Sequence, residues 1–226
     1  MIRRCRLLEF PLGLLDPPVA FAWWMCGSEE ALGLAAGGPV HAAAAHLRSG
    51  TIAGGTGLAG GLLRQGADVI GFCSRRVGLV IRPELAVTIR GVADLPDAGL
   101  RVVNWAPGAE ARRVLDRELA GHGIEPGQLL GYETQASGHQ QVAAVIAAGL
   151  ADAGVASEPV ALTYGLAFVP LASERFDLVI PEATRGSREV QGLLKVLSSP
   201  WLMDQLGSVP GYDLSQCGEH LAPLRP

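Results

Sequence analysis

Polar side chains gather at a few points of an otherwise apolar chain, and their spacing suits contact with a small ligand. Ser28 follows Cys26-Gly27 and opens Ser28-Glu29-Glu30-Ala31. Its hydroxyl and amide either donate to a ligand or cap a helix whose first turn is acidic. Residues 49–57 read Ser-Gly-Thr-Ile-Ala-Gly-Gly-Thr-Gly, a loop in which Thr51, Thr56 and Gly57 either line a ligand or turn the chain. The loop lacks the GxxxxGK[ST] spacing of a P-loop, which argues against nucleotide hydrolysis. Asn104 and Trp105 end a strand-like run and lead through Gly108 to Glu110 and Arg112. Arg112 either reaches a ligand or pairs with Asp116 one helical turn on. Ser137 and His139 stand at a helix start. With Glu133 nearby, His139 has the chemistry of a general base, and otherwise it is a cap or core histidine. Tyr164 is a ligand contact or a packed loop residue. Trp105, with Trp23 or Trp24, offers a stacking face to a planar ligand.

Other chemistries are excluded. His41, His46, His122 and His220 show no metal-ligand spacing, and Cys5, Cys26, Cys73 and Cys217 form no CxxC pair. Isolated reduced thiols, no metal, no cofactor and no disulfide framework are therefore expected. The 226 residues are 49% hydrophobic and 18% charged, enough for a substantial core and too apolar for disorder. A net charge of −4, with no long basic run, speaks against direct nucleic-acid or membrane binding. The apolar stretch after the basic start is interrupted by Glu9, Pro11, Asp16, Pro17 and Pro18, so neither a signal peptide nor a membrane helix is expected. The location expected is the cytoplasm.

The elements that must position these residues follow from hydrophobic periodicity. Strands are predicted over 19–25, 40–47, 67–73 and 77–83, with helices from Ser28 and from the glycine-rich loop. A second series follows: strand 100–104, helix 109–121, strand 130–132, helix 138–149 and strand 151–156. A strand at 176–181 repeats the Leu-Val-Ile-Pro character of 77–83, and a helical tail runs over 187–206. Alternating strands and helices imply parallel sheets, with ligands bound beyond the carboxyl ends of the strands. Leaving one lobe through a crossing strand and returning through a similar one gives two lobes, a two-stranded hinge and a cleft.

The segment Arg101-Val-Val-Asn-Trp-Ala-Pro-Gly-Ala-Glu-Ala-Arg-Arg-Val-Leu-Asp116 resembles the VNR, GSGTR and LLD pattern of type II periplasmic-binding-protein-like domains. The resemblance continues through Gly131-Tyr-Glu-Thr-Gln-Ala-Ser-Gly-His139, Val142-Ala143, Gly149–Gly154, Phe168-Val-Pro-Leu171 and Arg175-Phe-Asp-Leu-Val-Ile180. It runs on to Leu193-Leu194, Ser199-Pro200 and Gly211-Tyr-Asp213, covers 100–219 well, and is weaker over 19–99. It implies an α/β fold of two lobes, each a mainly parallel sheet flanked by helices. Lobe one would comprise 1–83 plus 179–226, and lobe two 84–178.

The resemblance also implies a ligand-binding domain for a small anion, molybdate or tungstate or an organic acid, serving as a sensor module. The residues before the first strand are too few and too proline-rich for a helix-turn-helix, so a sensor would signal through a protein partner or be a detached fragment. Three departures bear on the ligand. The family's GSGTR hydroxyls are replaced by Ala109 and Ala111 around Glu110, its arginine by Trp105, and its glutamate by Gln135. A carboxylate in the first helical turn would repel a dianion, which disfavours molybdate and favours a planar organic acid. The alternative is an enzyme resembling chorismate dehydratase in fold, with Glu110, Glu133 and His139 as its acid–base groups.

Overall fold

The computed structural model describes residues 2–3, 6–24, 26–46, 66–96 and 98–224. Thr51, Thr56, Gly57 and the helix expected after them lie outside the described residues. In chain order the strands are β1 (Ile2–Arg3), β2 (Trp23–Trp24), β3 (Ala43–Ala45), β4 (Ala67–Ile81) and β5 (Val102–Trp105). They continue as β6 (Gln135–Ala136), β7 (Ala153–Ser157), β8 (Ala167–Pro181), β9 (Tyr212–Asp213) and β10 (His220–Leu224). The chain divides into two compact units, Met1–Ser74 with Arg175–Pro226, and Arg75–Glu174. Both boundaries fall inside long strands, β4 and β8. The two runs expected as separate strands, 67–73 and 77–83, are one 15-residue strand. Ser74-Arg75-Arg76 interrupts its apolar pattern, yet none of the three forces a turn.

In the unit Arg75–Glu174, β7 pairs antiparallel with β4, from Val77 opposite Ser157 to Ile81 opposite Ala153. It pairs parallel with β5, and β5 pairs parallel with β6. Successive side chains alternate between faces. Val77, Leu79, Ile81, Val102 and Val155 pack with Ala111, Val114, Leu115 and Leu119 of the Glu110–Gly121 helix. Val80, Val103 and Ala156 pack with Val142, Ala143 and Ile146 of the His139–Ala147 helix. The apolar residues of each helix recur at three- and four-residue intervals, which is why both were legible in the sequence. The strand expected at 130–132 is reduced to a single bridge between Arg101 and Leu130. Gly131 turns the chain there at φ +79°, and a β-carbon on it would stand 2.5 Å from the Val102 carbonyl oxygen, so glycine is required.

Asp152 locks the other end of this sheet. Its Oδ2 accepts the Arg101 backbone N–H at 2.8 Å, and its Oδ1 pairs with Arg82 at 3.0 Å. Burial pushes its carboxyl up. The Arg101 N–H and guanidinium, with Arg82, outweigh that and hold it below the ordinary value. Because the folded value is depressed, the stabilisation is complete above the unfolded value of about 3.9 and fades as pH falls through the folded value. Asp152→Asn should cost about 1–3 kcal/mol near neutral pH. Urea unfolding of the two proteins should show that gap closing below about pH 4, and a gap independent of pH would refute the assignment.

In the other unit, β3 pairs antiparallel with β8, Ala43 opposite Val179 and Ala45 opposite Asp177. β10 pairs antiparallel with β4. The sheet is thus mixed rather than mainly parallel. Because β4 and β8 each carry the chain from one unit into the other, they run against β7 and β3 respectively. Leu12, Val19, Ile70, Ile180, Val190 and Leu197 form part of this unit's core. The tail expected to be helical over 187–206 is made of two helices, Arg188–Leu197 and Pro200–Gly207. Ser199 accepts the Leu202 N–H at 3.3 Å and Pro200 occupies the first turn, so capping chemistry starts a new helix there. Among the described residues, the strand expected over 19–25 is reduced to Trp23–Trp24, paired with β1, and the Val19 N–H turns back to the Leu12 carbonyl at 3.0 Å instead of joining a ladder. Cys26 and Cys217 are free thiols, and burial pushes Cys217 up to about 11.

Candidate functional site

In the unit Arg75–Glu174 the parallel strands β5, β6 and β7 end at Trp105, Ala136 and Ser157, and a helix begins after each. This is the edge where an open α/β sheet gathers unpaired amides and helix N-termini. Val77 stands opposite Ser157, so Arg76 and Arg75 lie just past the end of β7.

His139, the first residue of its helix, is the hub. Its Nδ1 accepts the Ser157 backbone N–H at 3.2 Å, and Arg75 Nη2 donates toward Nε2 at 2.9 Å. The Trp105 ring meets it edge to face at 4.6 Å, while the Trp105 indole N–H donates to the Val155 carbonyl at 2.8 Å. The Ser157 amide and Arg75 are both donors. A neutral ring has one lone-pair nitrogen, so it answers one of them at a time. Arg75 Nη2 also donates to Glu174 Oε2 at 3.3 Å, Glu174 being only 5% exposed. Arg75 Nε and Glu174 Oε1 are both buried with no hydrogen-bond partner in the protein. Beside them Arg76 forms a two-pronged bond to Glu158, 2.6 Å on each arm.

A second guanidinium stands on the same edge. Arg112 Nη1 donates to the Trp105 carbonyl at 3.0 Å, its Nη2 lies 3.6 Å from exposed Glu133, and its plane covers the Tyr132 ring at 4.5 Å. Asp116, the alternative partner expected for Arg112, instead accepts the Tyr132 hydroxyl at 2.5 Å. Burial raises the Tyr132 phenol, and the bond to Asp116 raises it further. Glu110 pairs with Arg113 at 3.4 Å.

The remaining expected residues divide. Asn104 is fully buried; its side chain donates to the Tyr132 carbonyl at 3.2 Å and accepts the Trp105 N–H at 2.8 Å, which fixes the strand end. Gly108 turns the loop at φ +89°. Ser137 is exposed, and its N–H donates to Gln141. Tyr164 sits at the opposite end of the sheet, lining a shallow surface hollow of about 390 Å³ with Arg82, Gly149 and Leu166.

The other unit carries its own polar cluster. Ser28 is the first residue of the Ser28–Gly37 helix rather than its cap, which is Gly27. The hydroxyl accepts the His46 backbone N–H at 3.1 Å. The His46 Nδ1–H donates to the Arg175 carbonyl at 3.1 Å, and the ring meets Phe176 edge to face. Arg175 Nε donates to Asp177 Oδ2 at 2.8 Å. Burial pushes that carboxyl up against the opposing pull of Arg175.

Arg75, Glu174, Ser157 and His46 escaped the sequence reading. The signal available was a charged triplet in the middle of each long apolar strand, Ser74-Arg75-Arg76 in β4 and Ser173-Glu174-Arg175 in β8. Polar residues that do not end a strand need another reason to be there.

Residues 13–198 match the family described as the PBP superfamily domain. The Bacillus subtilis (strain 168) protein YvgK, itself uncharacterised, is 27% identical over 151 residues, 67% of this chain and 48% of YvgK, so the chain spans about half of that relative. A phosphate ABC transporter substrate-binding protein from Clostridium perfringens, solved with phosphate, is similar in structure with a TM-score of 0.62. It is 12% identical, and the match covers 89% of this chain and 91% of that one. PhnD1 from Prochlorococcus marinus, solved with methylphosphonate, gives 0.60 at 16% identity over 92% and 85%.

Proposed function

We infer the function from one premise: the chain belongs to the PBP superfamily, the periplasmic-binding-protein-like domains of type II. The protein is a solute-binding-protein-like domain, and its ligand is a small anion, an oxyanion or a compact organic acid. The observation that carries this reading is Arg75. Its guanidinium lies past the end of β7, has a buried Nε with no protein partner, and shares one imidazole with the Ser157 amide. An incoming anion would supply the acceptor that Arg75 Nε lacks. Similar folds hold phosphate and methylphosphonate, which supports an anion of that size. Acid–base catalysis by Glu110, Glu133 and His139 is the weaker reading. Glu133 is exposed against Arg112, Glu110 is paired with Arg113, and His139 is engaged by donors on both nitrogens.

Thermal unfolding against phosphate, methylphosphonate, molybdate, tungstate, sulfate and aromatic carboxylates tests the proposal. An anion present at a hundred times its Kd should add about 2.7 kcal/mol, roughly 5–11 °C in a chain of this size. A midpoint that no anion raises would overturn it.

A further inference from the structure

The unit Met1–Ser74 with Arg175–Pro226 holds a buried carboxylate that the anion site does not use. Asp177 lies on β8 opposite Ala45 of β3 and is fully buried. Its Oδ2 accepts the Arg175 Nε–H at 2.8 Å, while its Oδ1 is buried with no hydrogen-bond partner. The guanidinium that answers its charge is 43% exposed, so water screens that attraction. A carboxylate withdrawn from water, with one oxygen unmet and one solvated counter-ion, is poorly compensated as an anion. A proton is small enough to reach Oδ1 without a cavity.

The groups around Asp177 leave that imbalance in place. His46 follows β3, its Nδ1–H donates to the Arg175 carbonyl, and its cationic form favours ionised Asp177. Glu29 and Glu30, on the helix packed against β3, are exposed. On the other side of β8, the part of β4 in this unit carries Asp68, paired with Arg185, and the buried Cys73. Desolvation outweighs the pull of Arg175 and His46 together.

We propose that Asp177 is a proton-operated latch on Arg175. Ionised, the carboxylate clasps the guanidinium along β8. On acidification Oδ1 takes a proton from solvent, the carboxyl becomes neutral, and the ion pair is lost. Arg175 is the residue at which β8 enters this unit, so the latch fixes or frees the side chain at that point. The linkage runs opposite to that of Asp152. With the folded value raised, the stabilisation is complete below the unfolded value of about 3.9 and is lost as pH rises through the folded value.

NMR of the wild-type chain from about pH 8 to pH 3, following the Asp177 carboxyl carbon and the Arg175 Nε–H, tests the latch. Both signals should move together through one midpoint above the ordinary aspartate value of about 3.9. In Asp177→Asn the carboxamide stands for the neutral carboxyl, so the Arg175 signal should no longer follow pH. That variant should also unfold about 2 °C or more above wild type at pH 8, with the gap closing toward pH 4. In His46→Gln the Asp177 midpoint should survive and rise, because a cation that favours ionisation is gone. An Asp177 midpoint at or below about 3.9, or an Arg175 signal that moves with His46 alone, would overturn the latch. The wild-type titration decides the matter even where Asp177→Asn folds poorly.

Discussion

Arg75→Met should weaken binding of the preferred anion at least about a hundredfold, a loss of roughly 3 kcal/mol. A charged donor that is largely withdrawn from water is worth that much to an anionic partner. Arg75 is 22% exposed and Glu174 5%, so the substitution also leaves a buried carboxylate without its cation. Breaking such a pair from one side costs about 3–5 kcal/mol of stability, an upper figure here because Arg75 retains some solvent. The two effects separate in the double variant Arg75→Met with Glu174→Met. Apolar residues in place of both charges should recover most of the stability, since both desolvation penalties disappear together. Binding should not recover. Calorimetry on the double variant, checked by its unfolding midpoint, reads the binding role alone. Affinity equal to wild type in that protein would remove Arg75 from the site.

Gly78→Ala should be the most damaging single-methyl change in the unit Arg75–Glu174. Gly78 lies on β4 against β8. A β-carbon there would overlap the Val169 carbonyl oxygen and stand 2.8 Å from Phe168 Cζ. A ring edge can turn aside, but a backbone carbonyl in a paired strand cannot do so without parting the two strands. Overpacking of this kind costs about 1–3 kcal/mol when side chains can yield and more when backbone must move. We expect at least about 3 kcal/mol, or roughly 6–12 °C in the midpoint, with a fall in soluble yield. Gly91→Ala is the control. That residue has φ −172° and no atom within 4 Å of a built β-carbon, so the change should stay within about 0.5 kcal/mol. Similar midpoints for the two variants would show that β4 and β8 are not packed as described.

Much of the unit Arg75–Glu174 was legible in the sequence, because its elements are local. The Glu110–Gly121 helix announces itself through Ala111, Val114, Leu115 and Leu119, and β7 through an unbroken apolar run. The site was legible only in part, because its chemistry is made by long-range pairing. Arg75 and Glu174 are 99 residues apart, and no local pattern says that β4 and β8 bring them within 3.3 Å. His139 could be singled out by its place at a helix start, but its partners, the Ser157 amide and Arg75, are properties of the folded sheet. Asn104 shows the converse. A polar residue at a strand end reads as a ligand contact, yet here its carboxamide is occupied by two backbone groups. Ser28 reads as a cap because serine before two acids usually is one. The chain instead places Gly27 at that position and uses the hydroxyl to hold His46.

The most direct test of the central claim is a nitrogen–proton correlation spectrum followed during titration with phosphate and, separately, with methylphosphonate. The Arg75 Nε–H, the Ser157 amide and the Trp105 indole N–H each report on one side of the His139 cluster. If the anion binds at this edge of the sheet, these three signals move together and saturate. The Arg101 amide, held by Asp152 at the opposite end, stays in place. Saturable shifts that spare Arg75 and Ser157, or signals unmoved by every anion of the panel, would contradict the account.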